Sequence, residues 1–405
     1  MSTISQPRLL SFALNDWTVL GGRISISLND RVGVLVGRNG AGKSAILEGF
    51  EAIASRAIGR LSRIRQSDGD SIPKILNIEI LTPTNRRLEY EYEMEIIASS
   101  DELDIDDSTN ENSEENQFSW NERCQYIDGE RELLWTTDSG VTTLNNKSDP
   151  IMTILGSTNS LRQSHFPENS RIKLPDEMQW VHSVLKGVRL LGKSPVRQTS
   201  RRRPSLLRVS SKGIYTSPFS LADSLARRIL RRMDVGELDE LESVCQRIGL
   251  GNKITVQKFV LSGESREKLE GENEEYVSSV LLDGVNIGLL SDGTLRVLSI
   301  LIEIIASNPS MTTIIEEPET QIHPGMLAKL LNEIETYTFE ENLLLSTHSP
   351  QVAAWTSPDK INIVHRKNGR TIVQKLGGNE IQQIVEYLCE EGDLGEWLYS
   401  GILDE

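Results

Sequence analysis

Cysteine is scarce in this chain. Its three cysteines, Cys124, Cys245 and Cys389, lie far apart and lack the Cys-x-x-Cys spacing of a structural zinc site. No disulfide framework is expected, which suits a reducing cytosol. Long hydrophobic runs are also missing. The most apolar helical stretch, residues 295–306, is too short to cross a bilayer and carries Arg296 and Glu303. The amino-terminal stretch has no charged segment followed by an apolar core, so it does not read as a signal peptide. A soluble, cytoplasmic protein is the expectation. Positive charge is in deficit: 43 Lys and Arg stand against 59 Asp and Glu, a net charge of −16. That balance argues against bulk nucleic-acid binding by the whole surface and leaves room only for a local basic patch. Core-forming residues are not lacking. A chain of 405 residues that is 38% hydrophobic and 25% charged exceeds a single hydrophobic core, so one elaborated domain or two lobes is implied.

The most informative stretch is Gly37-Arg38-Asn39-Gly40-Ala41-Gly42-Lys43-Ser44, which fits the phosphate-loop pattern of Gly, four residues and Gly-Lys-Ser. The run Val32–Val36 before it reads as a strand buried on both faces. The residues from Ala45 onward have helical spacing, so the motif sits between a strand and a helix. The glycines allow backbone N–H groups to turn inward around phosphate oxygens, and the helix N-terminus adds partial positive charge. Lys43 is placed to reach the β- and γ-phosphates, with the Ser44 hydroxyl on Mg²⁺. A glycine-rich turn that binds nothing is the plain alternative, and the flanking strand and helix argue against it.

Along the rest of the chain, residues 8–36 read as strands. So do 74–81 and 88–97, the second with Leu88, Tyr90, Tyr92, Met94 and Ile96 alternating against Glu89, Glu91, Glu93 and Glu95. Residues 98–116 hold eight acids and no Lys or Arg, the composition of a solvated loop. Turn signals stand at Asp128-Gly129 and Ser139-Gly140. Residues 175–191 look helical. From Lys186 to Arg232 there are thirteen Lys or Arg and one acid, Asp223. Arg197, Arg201, Arg202, Arg203 and Arg208 are the candidates there for a DNA backbone. A solvated face that balances the acidic segment is weighed equally, since no aromatics interleave to stack on bases. Helices are expected over 217–233 and 236–249, and strands over 253–261 and 276–282. From residue 287 helices (294–306, 324–337, 379–390) alternate with strands (312–315, 342–346, 361–364, 371–375), which predicts a parallel sheet. The expected organisation is residues 1–60 with the phosphate loop, a β-rich subdomain over 61–150, a helical and basic insertion over 151–275, and the rest of the core over 276–405.

Three further motifs lie in the last third. Thr312–Ile315 is an apolar strand ending in Glu316-Glu317-Pro318-Glu319. An acid at that edge of an α/β sheet can reach Mg²⁺, and the next can polarise the attacking water. Glu316 is assigned to the metal and Glu317 to the general base. Leu290-Ser291-Asp292-Gly293-Thr294 opens a helix, where Ser291, the Gly293 backbone and the helix N-terminus form an anion site. Meeting the γ-phosphate opposite the phosphate loop is natural for that site across a dimer. Asn342–Ser346 is a third buried strand, ending in Thr347-His348-Ser349-Pro350, with His348 the candidate contact to γ-phosphate or water. His323 and Gln321 read as structural or as part of a dimer seam.

The phosphate loop, Leu-Ser-Asp-Gly-Thr, Ile-Glu-Glu-Pro-Glu with Ile-His-Pro, and Ser-Thr-His-Ser-Pro follow one another in this order. On these motifs the chain resembles the ABC-type ATPases of the RecF, OLD and structural-maintenance-of-chromosomes group. Within it, the chain looks most like the short AAA ATPases encoded in bacterial anti-phage operons. The motifs cover residues 20–60 and 280–365, while 60–280 matches in layout only. The resemblance implies an α/β P-loop NTPase of ABC-ATPase type, with an antiparallel β subdomain and a helical insertion. It further implies ATP and Mg²⁺ as cofactors and two ATPs sandwiched in a head-to-tail dimer, with Lys43, Ser44, Glu316, Glu317 and His348 from one subunit and Ser291 from the other. Coupling to DNA or to a nuclease-like effector comes with it. Glu316 departs from the group, where many members carry Asp. Gln163 is the candidate glutamine sensor and Trp17 the candidate adenine-stacking ring, although such a ring is more often core.

These features favour an ATPase switch acting on or near DNA, in genome defence or repair. A transporter ATPase is the alternative. Lys43 and Ser291 stand 248 positions apart, and transporter subunits are more compact between these motifs. An intrinsic nuclease is rejected, because only 57 residues follow His348 and no acid cluster with metal spacing appears among them. A nucleotide-gated scaffold with little turnover is the remaining reading.

Overall fold

The computed structural model describes residues 6–59, 72–97, 117–139, 141–145, 152–155, 175–191, 203–210, 213–214, 220–236, 238–260, 276–305 and 312–376. In chain order, β1 (Arg8–Asn15), β2 (Ile24–Ser27) and β3 (Val32–Val36) lead into α1 (Lys43–Ala57). Six strands follow: β4 (Ile75–Leu81), β5 (Arg87–Ile97), β6 (Gln117–Tyr126), β7 (Glu132–Asp138), β8 (Val141–Leu144) and β9 (Met152–Leu155). Then come α2 (Asp176–Lys186), β10 (Val188–Leu191), β11 (Leu207–Ser210), β12 (Gly213–Ile214), α3 (Leu221–Val235) and α4 (Leu238–Ile248). The remainder is β13 (Ile254–Val260), β14 (Tyr276–Leu282), β15 (Val285–Asn286), α5 (Asp292–Ile305), β16 (Thr312–Glu316), α6 (Pro324–Tyr337), β17 (Asn342–Thr347), α7 (Pro350–Trp355), β18 (Ile361–Lys367) and β19 (Arg370–Lys375). The chain divides into two units, one drawn from residues 1–190, 308–316 and 340–405, the other from 191–307 and 317–339.

The first unit holds two sheets. Eight strands run in the order β2-β1-β4-β5-β6-β7-β8-β9, each pairing antiparallel with its neighbour. The alternation in β5 sets its faces: Leu88, Tyr90, Tyr92 and Met94 are buried. One buried position breaks the pattern. Glu122 of β6 is 3% exposed, and a buried carboxylate needs donors. Tyr90 donates its hydroxyl to Glu122 Oε1 at 2.8 Å and Thr137 donates to Oε2 at 2.6 Å. The second sheet is ordered β10-β16-β17-β3-β18-β19. Its strands β16, β17, β3 and β18 are parallel, and β17 is buried along its whole length, as a strand covered on both faces must be.

Two expectations need correction. The sheet is not wholly parallel, because β19 returns antiparallel on β18. The turn is Asn368-Gly369, with φ of 52° and 78°, the dipeptide favoured in two-residue hairpins. The stretch 175–191 is not one helix. Gly187 caps α2, and Val188–Leu191 becomes a strand beside β16, where its valine and leucines gain a sheet neighbour.

One core joins the two sheets of this unit with α1 and α2. Phe12 of β1 and Phe50 of α1 stack at 3.9 Å. Trp17 is 7% exposed in this core and packs against Gly49, so burial explains the ring without an adenine. The phosphate-loop helix is thereby gripped along its apolar face.

The second unit contains the antiparallel sheet β12-β11-β14-β13, with β15 on β14, and the helices α3, α4, α5 and α6. Ser220 caps α3 by accepting from Asp223 N–H at 3.1 Å. Among the described residues no helix is long and apolar enough to cross a membrane.

Candidate nucleotide site

Three adjacent parallel strands bring the first group of candidates to one sheet edge. The phosphate loop follows the C-terminal end of β3, His348 follows β17, and Glu316 ends β16. The register sets Glu316 beside Ser346 and Ser346 beside Leu35. Residues side by side in a parallel sheet share a face, and Leu35 lies in the core with α1. The Glu316 row therefore belongs to the sheet face that α1 covers. Crevices at the C-terminal edge of parallel strands are where α/β folds bind ligands.

The loop itself needs its glycines for two different reasons. A Cβ on Gly37 would lie 2.1 Å from the Val364 carbonyl oxygen, so β18 leaves no room for a side chain there. Gly42 has φ of 106°, and its Cβ would lie 2.5 Å from Thr371 Oγ1. Thr371 of β19 also donates to the Ala41 carbonyl at 3.2 Å. The loop thus rests on the β18–β19 hairpin. Lys43 is 4% exposed. Its ammonium donates to the Gly37 carbonyl at 2.6 Å and the Arg38 carbonyl at 3.1 Å, which holds the charge at the mouth of the loop. Arg38, Asn39 and Gly40 are exposed, and Ser44 is half-buried in the first turn of α1.

These residues fit a nucleotide phosphate with a divalent cation. The loop's glycines at 37 and 42 let its backbone lie directly against the β18–β19 hairpin, where no side chain fits. Ser346 Oγ, fully buried and without a hydrogen-bond partner, stands in the row of Glu316. Such a hydroxyl carries an unmet cost of about 1–3 kcal/mol, which a hydrated cation at Glu316 would relieve. Hard oxygen donors of the Ser44 and Glu316 type are what Mg²⁺ selects. The sequence does not single out Thr371 or Ser346; the only signal for them is a hydroxyl flanking an apolar run, after Leu343–Leu345 for Ser346 and before Ile372-Val373 for Thr371.

Glu317, Ser291 and Gly293 belong to the second unit. Glu317 has φ of 43°, a left-handed conformation that non-glycine residues rarely adopt. Its carbonyl accepts from Thr320 N–H at 3.0 Å, and its carboxylate Oε2 accepts from the Thr320 hydroxyl at 3.3 Å. Arg296 of α5 also donates to the Glu317 carbonyl at 3.0 Å. Ser291 is exposed and caps α5, accepting from Thr294 N–H at 3.1 Å. Gly293 is buried against the Gln321 carbonyl. His323 caps α6 through Gly325 N–H at 3.1 Å, which gives it a structural task.

The basic stretch has a different character from its sequence. Arg197, Arg201, Arg202 and the candidate sensor Gln163 lie outside the described residues. Arg203 is exposed and reaches Asp223 at 4.0 Å, and Arg208 is exposed on β11. On α3, however, Arg232 is 7% exposed and donates to the Ile302 carbonyl at 2.6 Å, and Arg228 pairs with Glu303. Part of the charge asymmetry therefore ties α3 to α5.

A parallel sheet edge with a glycine cradle, a buried lysine and an acid on a nearby strand defines a P-loop nucleotide-binding protein. Residues 33–354 match the family described as "AAA domain, putative AbiEii toxin, Type IV TA system". The chain belongs to this family of AAA-type ATPases, a class that binds and hydrolyses ATP. No curated protein matches the sequence. Among solved structures, it is similar to a Smc head bound to the C-winged helix domain of ScpA, with 15% identity, TM-score 0.41, and 93% of this chain and 100% of that chain covered. It is also similar to a Pyrococcus furiosus Smc head domain with an extended coiled coil bound to the C-terminal domain of ScpA (14% identity, TM-score 0.40, 95% and 100% covered). The SMC head domain from Thermotoga maritima is a third (13%, 0.36, 91% and 99%).

Proposed function

We propose that the chain is an ATP-hydrolysing switch that closes as a head-to-tail dimer around ATP. Lys43 and the loop amides bind the phosphates, and Ser44 and Glu316 hold Mg²⁺. The metal, when bound, neutralises charge on the β- and γ-phosphates. Glu317 takes the proton of the attacking water, and His348 orients that water or the γ-phosphate. Ser291 and the Gly293 backbone of the second copy complete each site. The observation that supports this reading is the row of motif-bearing ends, phosphate loop, His348 and Glu316, on three neighbouring parallel strands. The switch acts in the cytoplasm, on or near DNA or on a separate effector such as a nuclease, in anti-phage defence or DNA repair. Arg203 and Arg208, with Arg197, Arg201 and Arg202, are the proposed DNA contacts.

Two variants test the core of it. Lys43→Ala should abolish binding of a fluorescent ATP analogue, and retained affinity would remove the phosphate loop from the site. Glu317→Gln should bind ATP, stop turnover and accumulate dimer by light scattering. A mixture of Lys43→Ala with Ser291→Arg should regain partial activity, since one of the two sites in a mixed dimer then carries both good halves. No recovery counts against composite sites.

A further inference from the structure

The first turns of α5 hold the 317–321 loop by two separate contacts. Arg296 Nη2 donates to the Glu317 carbonyl at 3.0 Å. Gly293 lies so close to the loop that a Cβ there would stand 2.1 Å from the Gln321 carbonyl oxygen. The loop has left-handed backbone at both ends, with φ of 43° at Glu317 and 64° at Gln321. Left-handed backbone costs roughly 1–2 kcal/mol per non-glycine residue, and such strain persists where surrounding contacts over-determine it. Here the contacts are visible. Thr320 N–H and Arg296 converge on one carbonyl, and the Thr320 hydroxyl reaches the carboxylate of the same residue.

We infer that Arg296 is a positioning residue for Glu317. The charged donor fixes the Glu317 carbonyl, which fixes the left-handed φ, which in turn sets the direction of the carboxylate. A charge-assisted hydrogen bond is roughly twice as strong as a neutral one, so Thr320 N–H alone holds the peptide less firmly. The inference rests on Glu317 as the general base. It also gives α5 a second task. The helix that displays Ser291 at its N-cap holds, five residues later, the base-bearing loop of the same chain.

The test uses full-length Arg296→Ala, Arg296→Lys and Glu317→Gln. Each is measured for kcat and KM with ATP, for affinity towards a fluorescent non-hydrolysable ATP analogue, and for melting temperature. Misplacing a catalytic group by about 1 Å costs up to about 100-fold. Arg296→Ala should therefore lower kcat by about 10- to 100-fold, with KM and analogue affinity within about twofold of the parent, as loss of a transition-state interaction requires. Arg296→Lys, which keeps one charged donor, should recover part of kcat. A parental kcat in Arg296→Ala, with Glu317→Gln inactive, overturns the inference alone. Parental turnover in Glu317→Gln overturns the base assignment, and the inference with it. If Arg296→Ala does not fold, Arg296→Lys decides: a several-fold lower kcat at parental melting temperature supports the positioning role, and a parental kcat overturns it.

Discussion

At the scale of single residues, the phosphate loop separates two uses of glycine. Gly37 is needed for space, because any Cβ would strike the Val364 carbonyl at 2.1 Å. Gly40 is needed only for conformation: φ is 80° and nothing lies within 4 Å of its Cβ position. Gly37→Ala must push β18 from β3, at a cost of about 1–3 kcal/mol typical of overpacking, and should lose ATP-analogue binding as the loop shifts. Gly40→Ala should cost only the left-handed penalty, about 1 kcal/mol. Urea midpoints of the two variants check this, and equal losses would show that the β18 contact does not matter. The octapeptide pattern was legible because it is local and rigidly spaced. The Val364 carbonyl that gives Gly37 its reason stands 327 positions further on and has no side-chain signature at all. Arg296 and Thr371 were illegible for the same reason. Each acts on a main-chain carbonyl, of Glu317 and Ala41 respectively, and any sequence supplies carbonyls.

At the scale of elements, α3 shows how composition misleads. Its arginines end a basic stretch that reads equally as a nucleic-acid contact or a solvated face, yet Arg232 is neither: it is buried on the Ile302 carbonyl at the end of α5. The last carbonyls of a helix lack intrahelical partners, and a cation there also suits the helix dipole. Arg232→Met should leave that carbonyl unpaired and destabilise the protein by about 1–3 kcal/mol, and should not alter the salt dependence of the proposed DNA contact. Arg208→Ala, on exposed β11, should leave stability within about 0.5 kcal/mol and, if the proposed DNA contact holds, lower the salt slope of that binding by about one. An Arg232→Met protein of parental stability would return α3 to the list of surfaces. Most elements were readable because their periodicity matches their burial, as in β5, or because they are short apolar runs bounded by turns, as in β16 and β17. Where reading failed, a tertiary neighbour decided: β10 is helical by composition and a strand because β16 lies beside it. The direction of β19 was in the sequence, in Asn368-Gly369, but needed the turn to be weighed above the βαβ rhythm.

At the scale of the whole molecule, folding lets the chain hold several protons to higher pH than the unfolded chain can. Burial raises the Tyr90 and Cys124 groups well above their ordinary values, with the Glu122 charge adding to both. It also raises Tyr92, against which Arg56 works in the opposite direction. In the second unit, burial first and Glu242 next push Cys245 from 9.0 to about 12. The sign follows from linkage: a folded state that holds a proton more tightly than the unfolded chain is stabilised below the unfolded value and loses that advantage as pH rises through the folded one. For Cys245 the window is pH 9.0 to about 12. Cys124 enters from 9.0 and Tyr90 from 10.0, both extending upward. Urea midpoints should hold steady from neutral pH to about 8.5 and then fall progressively. Cys124 and Cys245 are both buried, so neither should react with a thiol reagent at about pH 8 until denaturant is added. Cys245→Ala removes one of these protons, and its midpoint should decline less steeply than the parent's above pH 9.0. A flat parental profile to pH 11, or prompt labelling of both thiols in native buffer, would mean that these groups meet solvent in the folded protein. Since Cys124 lies in the unit of the phosphate loop and Cys245 in the unit of α5, the order in which they become reactive with rising pH reports which unit opens first. Bound ATP should delay Cys124 if the phosphate loop is where it binds.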